Sequence, residues 1–191
     1  MKVDDQTKKT RSMSGVSAAT LLALALFAGG NVIWAAAFQG EWPAVVVVTG
    51  SLLWFAIGMP AMMVAHEGIH GLAFILLNLG VPNFRLRYGV LRPSLTPYTH
   101  PIGPMPASAY RLGVLAPGLL LGVLPFLYAL ATANAYVAGW AIMNTAAAAG
   151  DFLIILELRG VPGHVPVEDC EDRIGFSIRW DLASQPTARD G

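Results

Sequence analysis

From Ala44 to Leu79 the chain is apolar almost without interruption, broken only by a polar set at residues 66–70 and by Asn78. One straight helix of that length would run roughly 54 Å, against a hydrocarbon core of about 30 Å. The stretch must therefore break, and Gly58 with Pro60 supplies the point. This predicts one limb over 44–58 and a second over 61–79. Similar runs recur from Val16 to Phe38, from Tyr110 to about Ala131 with kinks at Pro117 and Pro125, and from Tyr136 to Leu158. The chain is 55% hydrophobic and only 13% charged, with a mean hydropathy of +0.57. Those values place it with integral membrane proteins. The fold class expected is an all-α membrane protein, a four-span transmembrane helical bundle with a small cytoplasmic β element. A cleavable signal peptide is the alternative for the first run, but its length suits a membrane anchor.

Between the spans the chain is polar. Residues 1–14 form a mobile cytoplasmic arm, 15–181 a single transmembrane domain and 182–191 a disordered tail. Gln39 to Pro43 makes an external turn with Trp42 at the interface. In the interval from Gly80 to Ala109, residues Phe84-Arg85-Leu86-Arg87-Tyr88 alternate as a short strand does. That strand either takes an extended peptide on its edge or merely caps the bundle. In the tail, Phe176, Ile178 and Trp180 alternate with Ser177 and Arg179, and this second strand is expected to pair with residues 84–88. All twelve Lys and Arg fall in the arm, the 80–109 interval and the tail, or at their boundary. The positive-inside rule makes that side cytoplasmic, with both termini on it, in a multi-pass protein of the cell membrane. A net charge of zero gives no reason to expect nucleic acid, and the single Cys170 excludes an intramolecular disulfide.

The polar set inside the long run reads His66-Glu67-Gly68-Ile69-His70. Residues four apart share a helix face, so both imidazoles can address one metal ion. Glu67, beside the first ligand, suits a general base acting on a metal-activated water. A zinc hydrolase site takes a third protein ligand. His70 lies nine residues before Leu79 and Asp151 eight before Arg159, so both sit roughly 12–14 Å below the same surface. Asp151, preceded by five small residues, is therefore the expected third ligand; its alternative is a structural bond between helices. Asn144, seven residues earlier on nearly the same face, and His100, in the 80–109 interval, are candidate substrate-binding residues. A lone loop histidine is more often an ordinary polar residue. Gly118 and Gly122 read as a helix-packing pair, and Glu157 as a snorkelling surface charge.

The motif Ala65-His66-Glu67-Gly68-Ile69-His70-Gly71, the run Tyr110 to Pro125, Gly150-Asp151 and the tail Val167 to Ile178 resemble the prokaryotic family of putative zincin peptidases, over about residues 55–181. More distantly, the motif helix and the later Asp helix resemble the site-2 proteases, intramembrane zinc metalloproteases. The resemblance implies His66, His70 and Asp151 as zinc ligands and Glu67 as base. It differs in that Gly150 precedes Asp151 and Phe152 follows, which leaves the substrate-binding asparagine of site-2 proteases unassigned. The expected function is an intramembrane zinc metalloprotease hydrolysing peptide bonds of membrane-associated substrates, with the lipid bilayer as its environment, Zn2+ as cofactor and oligomeric state open. A transporter or metal-handling protein using the same cluster, and an inactive binding relative, are the alternatives.

Overall fold

The computed structural model describes residues 8–12, 16–40, 54–81, 84–91, 96–170 and 175–183. Trp42, most of the 44–58 limb and residues 184–191 lie outside them. A strand β1 (Lys8–Ser12) precedes helix α1 (Val16–Ala37); a π-helical turn (Trp54–Gly58) then leads into α2 (Met59–Leu77). Pro60 sits in the first turn of α2, where its missing N–H costs no helical bond. Asn78 ends the helix by folding its side-chain amide onto the Phe74 carbonyl at 2.8 Å. The hairpin β2 (Arg85–Leu91) and β3 (Thr96–Ile102) follows, then β4 (Met105–Pro106) and α3 (Ala107–Pro117). A second π-helical turn (Gly118–Val123), bracketed by Pro117 and Pro125, joins α3 to α4 (Leu124–Thr132). Helices α5 (Ala135–Ala147) and α6 (Ala149–Leu158), strands β5 (Pro166–Asp169) and β6 (Gly175–Arg179) and a short α7 (Trp180–Ala183) complete the chain.

The protein is mostly helical, with small antiparallel sheets. Among the described residues, three stretches are long and apolar enough to cross a membrane, Ala18–Ala37, Ala56–Leu77 and Ala107–Thr132; α5 and α6 make a fourth if the bent pair is one span. The fourth run, expected as one span from Tyr136 to Leu158, divides into two helices. It bends by 49° at Ala148, whose ψ of 7° leaves the helical region. Residues 146–150 are all Ala or Gly, so no large side chain there opposes the bend. The new helix starts at Ala149, two residues before Asp151, and puts that carboxylate in its first turn.

Two expectations for the polar segments change. The tail strand does not pair with residues 84–88. Strand β6 pairs with β5 and β1 in a four-stranded sheet ordered β1-β6-β5-β4, while β2 pairs with β3, Arg87 opposite His100. Strand β2 closes with the strand that follows it, a short loop that costs little chain entropy, and this leaves β6 to pair with its neighbour β5 and with the distant β1. Gly175 to Ile178 are buried, as suits a strand paired along both edges. Part of the N-terminal arm, Lys8–Ser12, forms the outer strand of that sheet.

The main core joins sheet to helices: Phe74, Tyr110, Val114 and Leu158 pack with Met105, Val165, Val167, Phe176 and Ile178. Arg111 reaches across to donate to the carbonyls of Leu158 and Val161, closing the C-terminus of α6 with a cation. On the sheet, Arg179 bonds Asp181 and Glu168, each at 2.8 Å; hydrogen bonds to those carboxylates push its pKa up, and Arg179 pulls that of Asp181 down. At the far end of the bundle a smaller cluster of Trp34, Ala129 and Ala138 joins α1, α4 and α5.

Close packing of the π-helical turn on α5 depends on Gly118 and Gly122. A Cβ at Gly122 would lie 2.4 Å from Thr145 Oγ1 and 3.1 Å from its Cα, so backbone would have to move. Gly122→Leu should therefore lower the thermal unfolding midpoint of the detergent-solubilised protein, an overpacking cost of about 1–3 kcal/mol. Gly29→Ala, with nothing within 4 Å, should unfold at or slightly above the wild-type temperature.

Candidate metal centre

The apolar packing of α2 on α3 sets the centre. Gly113 lacks a side chain, and a Cβ there would lie 2.3 Å from the Phe74 ring; without one, Phe74 seats directly on α3. One turn earlier on α2, His70 comes within reach of the same helix, and its Nδ1–H donates to the Gly113 carbonyl at 2.9 Å. That carbonyl can accept because the residue four ahead is Pro117, which has no N–H for the usual helical bond. The proline thus leaves an acceptor inside an apolar bundle, and the histidine satisfies it. The bond fixes the proton of His70 on Nδ1 and turns Nε2 toward α6.

On that side stands Asp151. Its Oδ2 lies 3.1 Å from His66 Nε2 and 3.4 Å from His70 Nε2. The two imidazoles meet edge to face with centroids 4.9 Å apart. His66, Glu67 and His70 can each bring one ligand atom within 4.8 Å of the others. All four side chains line a single cavity of about 550 Å3. Its remaining wall includes Met62, Met63, Val114 and Ile154 from the helices and Pro97 to Pro101 from β3. Thr99 ties that strand to the motif, its hydroxyl donating to the Glu67 main-chain carbonyl at 2.8 Å.

The donor set fits a tetrahedral zinc ion. Metal–ligand lengths of about 2.0–2.1 Å imply ligand–ligand edges of about 3.3–3.4 Å, and the observed separations from Asp151 fall at that scale. Two imidazole nitrogens and a carboxylate oxygen also match zinc's ligand preferences. His66 Nδ1 is buried and makes no hydrogen bond within the structure, so its partner is a bound water or none.

The structure thus brings together His66, Glu67, His70 and Asp151, and it places His100 on the wall of the same cavity. Asn144 is elsewhere. It is fully buried, is absent from the cavity wall, and gives its side-chain N–H to the Trp140 carbonyl one turn back. Sequence reasoning missed Thr99, the Gly113 carbonyl, Tyr110 and Asp169. Pro117 was visible only as a kink, although a proline four residues after a glycine in a span marks a freed carbonyl. Asp169 lies in an acidic tail run that reads as surface.

A family model described as "putative zincin peptidase" matches residues 59–165, from the start of α2 to just before β5. No curated protein and no solved structure matches the chain.

The purified protein should hold about one zinc per chain by elemental analysis, lost in His66→Ala and in Asp151→Ala. Pro117→Ala restores a competing N–H at the Gly113 carbonyl. Competition with a chelating dye should show zinc bound about tenfold more weakly, with the stoichiometry kept.

Proposed function

The chain belongs to the putative zincin peptidase family, and from that premise we propose that it is an intramembrane zinc metalloprotease acting on membrane-associated peptides. The observation that carries the reading is the meeting of His66, His70, Asp151 and Glu67 in one cavity among helices apolar enough to span a bilayer. Ionisable groups are costly in such a setting and are kept there for a task. His66, His70 and Asp151 would hold zinc, which lowers the pKa of a water and polarises a carbonyl when bound. Glu67 takes a proton from the attacking water on its carboxylate and delivers it to the leaving amine nitrogen.

The substrate must present its scissile bond in extended form, because a helix turns its carbonyls inward. Strand β3, along the cavity wall from Pro97 to Pro101, offers a surface beside which an extended segment can lie. Prolines at positions 97 and 101 cannot donate hydrogen bonds, so a peptide lying there is held largely by its own N–H groups. The pairing of β1 with β6 brings the two ends of the chain into one sheet. An even number of crossings, with α5 and α6 counted as one, supports a four-span arrangement with both ends on the basic, cytoplasmic side.

The test uses the zinc-loaded protein and a mixture of apolar peptides in detergent, with new termini read by mass spectrometry. Wild type should cleave a subset of them. Glu67→Gln should retain the zinc and cleave about 10²–10⁴-fold more slowly. A Glu67→Gln protein that cleaves like wild type would sink the mechanism.

A further inference from the structure

The hairpin of β2 and β3 meets the metal-binding helix at one turn, and it does so with two residues that face each other across its strands. Tyr88 pairs with Thr99, and directly opposed side chains of an antiparallel pair stand on the same face. Thr99 donates to the Glu67 main-chain carbonyl at 2.8 Å. Tyr88 lies over Gly71, where an added Cβ would run into its hydroxyl and lie 2.8 Å from the ring carbon that bears it. Glu67 and Gly71 are the two ends of one helical hydrogen bond, four residues apart. The hairpin thus grips the turn that opens with the proposed base, follows directly on His66 and contains His70. Among the described residues β2 and β3 form a sheet of two strands, and a lone hairpin is marginal by itself. Its place depends on what it docks against.

We propose that Thr99, with Tyr88 beside it, sets the register of β3 against Glu67 and so decides which bond of an extended substrate is cut. The assignment rests on the peptidase reading and on a peptide lying along β3. Apolar contact is non-directional, and a strand resting on an apolar helix slides along it at little cost. A hydrogen bond to one carbonyl is directional, and a notch at one glycine admits the tyrosine ring at one level. The Glu67 oxygen has two lone pairs, so it takes the Thr99 hydroxyl without giving up its helical partner. The next residue, His100, bonds Asp169 Oδ2 at 2.6 Å, and Asp169 Oδ1 accepts from Tyr110 Oη at 2.7 Å. Those bonds hold β3 to β5 and α3; Thr99 is the residue that ties it to the base. An extended chain advances about 3.3 Å per residue. A slip of β3 by that much would bring the neighbouring bond of its passenger to Glu67 and the metal ligands. Thr99 is in this sense a positioning residue, acting through the main chain.

The test gives the apolar peptide mixture to zinc-loaded, full-length wild type, Thr99→Val and Thr99→Ser, and counts new termini by mass spectrometry. In wild type each cleaved peptide should yield one predominant pair of products. Thr99→Val should lower the ratio of that cut to those one residue to either side about fivefold, and Thr99→Ser, which keeps the hydroxyl, should restore it. Such a ratio does not depend on how much of the protein is folded or loaded, so a merely structural loss leaves it unmoved. Hydrogen exchange adds a readout that needs no cleavage. Segments spanning β2 and β3 should take up deuterium faster in Thr99→Val, and those spanning β5 and β6 at the wild-type rate. Should Thr99→Val fail to fold, Gly71→Ala displaces Tyr88 and should scatter the cuts in the same way, and adding Tyr88→Ala should narrow them again. Cuts placed as sharply in Thr99→Val as in wild type, equal scatter in Thr99→Ser, or unchanged exchange would overturn the inference. If wild type itself cleaves none of the peptides, the peptidase reading falls and exchange decides the rest: faster uptake in Thr99→Val keeps Thr99 as the pin of β3 on α2, and unchanged uptake removes it.

Discussion

A proline without an N–H is the constraint on which the centre depends. Pro117 denies Gly113 its helical partner, and a carbonyl left bare in an apolar bundle costs kcal/mol unless something donates to it. His70 is that donor, and its commitment through Nδ1 is what presents Nε2 to Asp151. The same glycine admits Phe74 against α3, so helix packing and ligand orientation come from one turn of one helix. The metal centre is in this sense a by-product of how α2 and α3 satisfy each other's backbone.

Asp151 arrives by a different route. Its helix is the second half of a run that breaks at Ala148, and the break lets the carboxylate meet two imidazoles on α2. Small residues do this work because they neither stiffen the helix by side-chain packing nor obstruct a neighbour. Gly118 and Gly122 play the matching part on the other side, where Ala148 Cβ and Thr145 would otherwise collide with a side chain. The bundle is narrow wherever the site requires two helices to approach.

Periodic and local features were legible in the sequence; relations between distant segments were not. Helix α1 falls within a residue of the run from Val16 to Phe38, whereas the break expected at Gly58 and Pro60 is a π-helical turn that runs on into α2, with Gly58 in helical dihedrals and Pro60 in the first turn of α2. Placing His66, Glu67 and His70 on one helix needs only the 3.6-residue repeat. Bringing Asp151 to their level needs only a count from the helix ends, because a membrane gives both helices a common reference plane. Strand pairing has no such plane. Alternation at 84–88 and at 176–180 identifies strands but not partners: β2 closes with its neighbour β3, while β6 pairs both with its neighbour β5 and with β1 from the far end of the sequence. Asp169 was illegible for a related reason: its role depends on β5 lying beside β3 and α3, a contact between segments some sixty residues apart.

The two polar clusters obey one rule and divide the cavity between them. Each holds an imidazole by its Nδ1 edge, His70 against a carbonyl of α3 and His100 against a carboxylate of β5. For His70 this keeps Nε2 toward Asp151. The partners differ in kind, and the difference suits the positions. A backbone carbonyl is one of the usual partners that orient a metal-ligating imidazole, and the Gly113 carbonyl fills that part for His70. His100 is held instead by a carboxylate that also accepts from Tyr110 Oη. Phe74 lies between His70 and Tyr110, with ring centroids 6.3 Å and 5.9 Å away. The cavity thus carries its ionisable side chains in two sets, with the apolar side chains of Met62, Phe74, Val114 and Ile154 in the same wall.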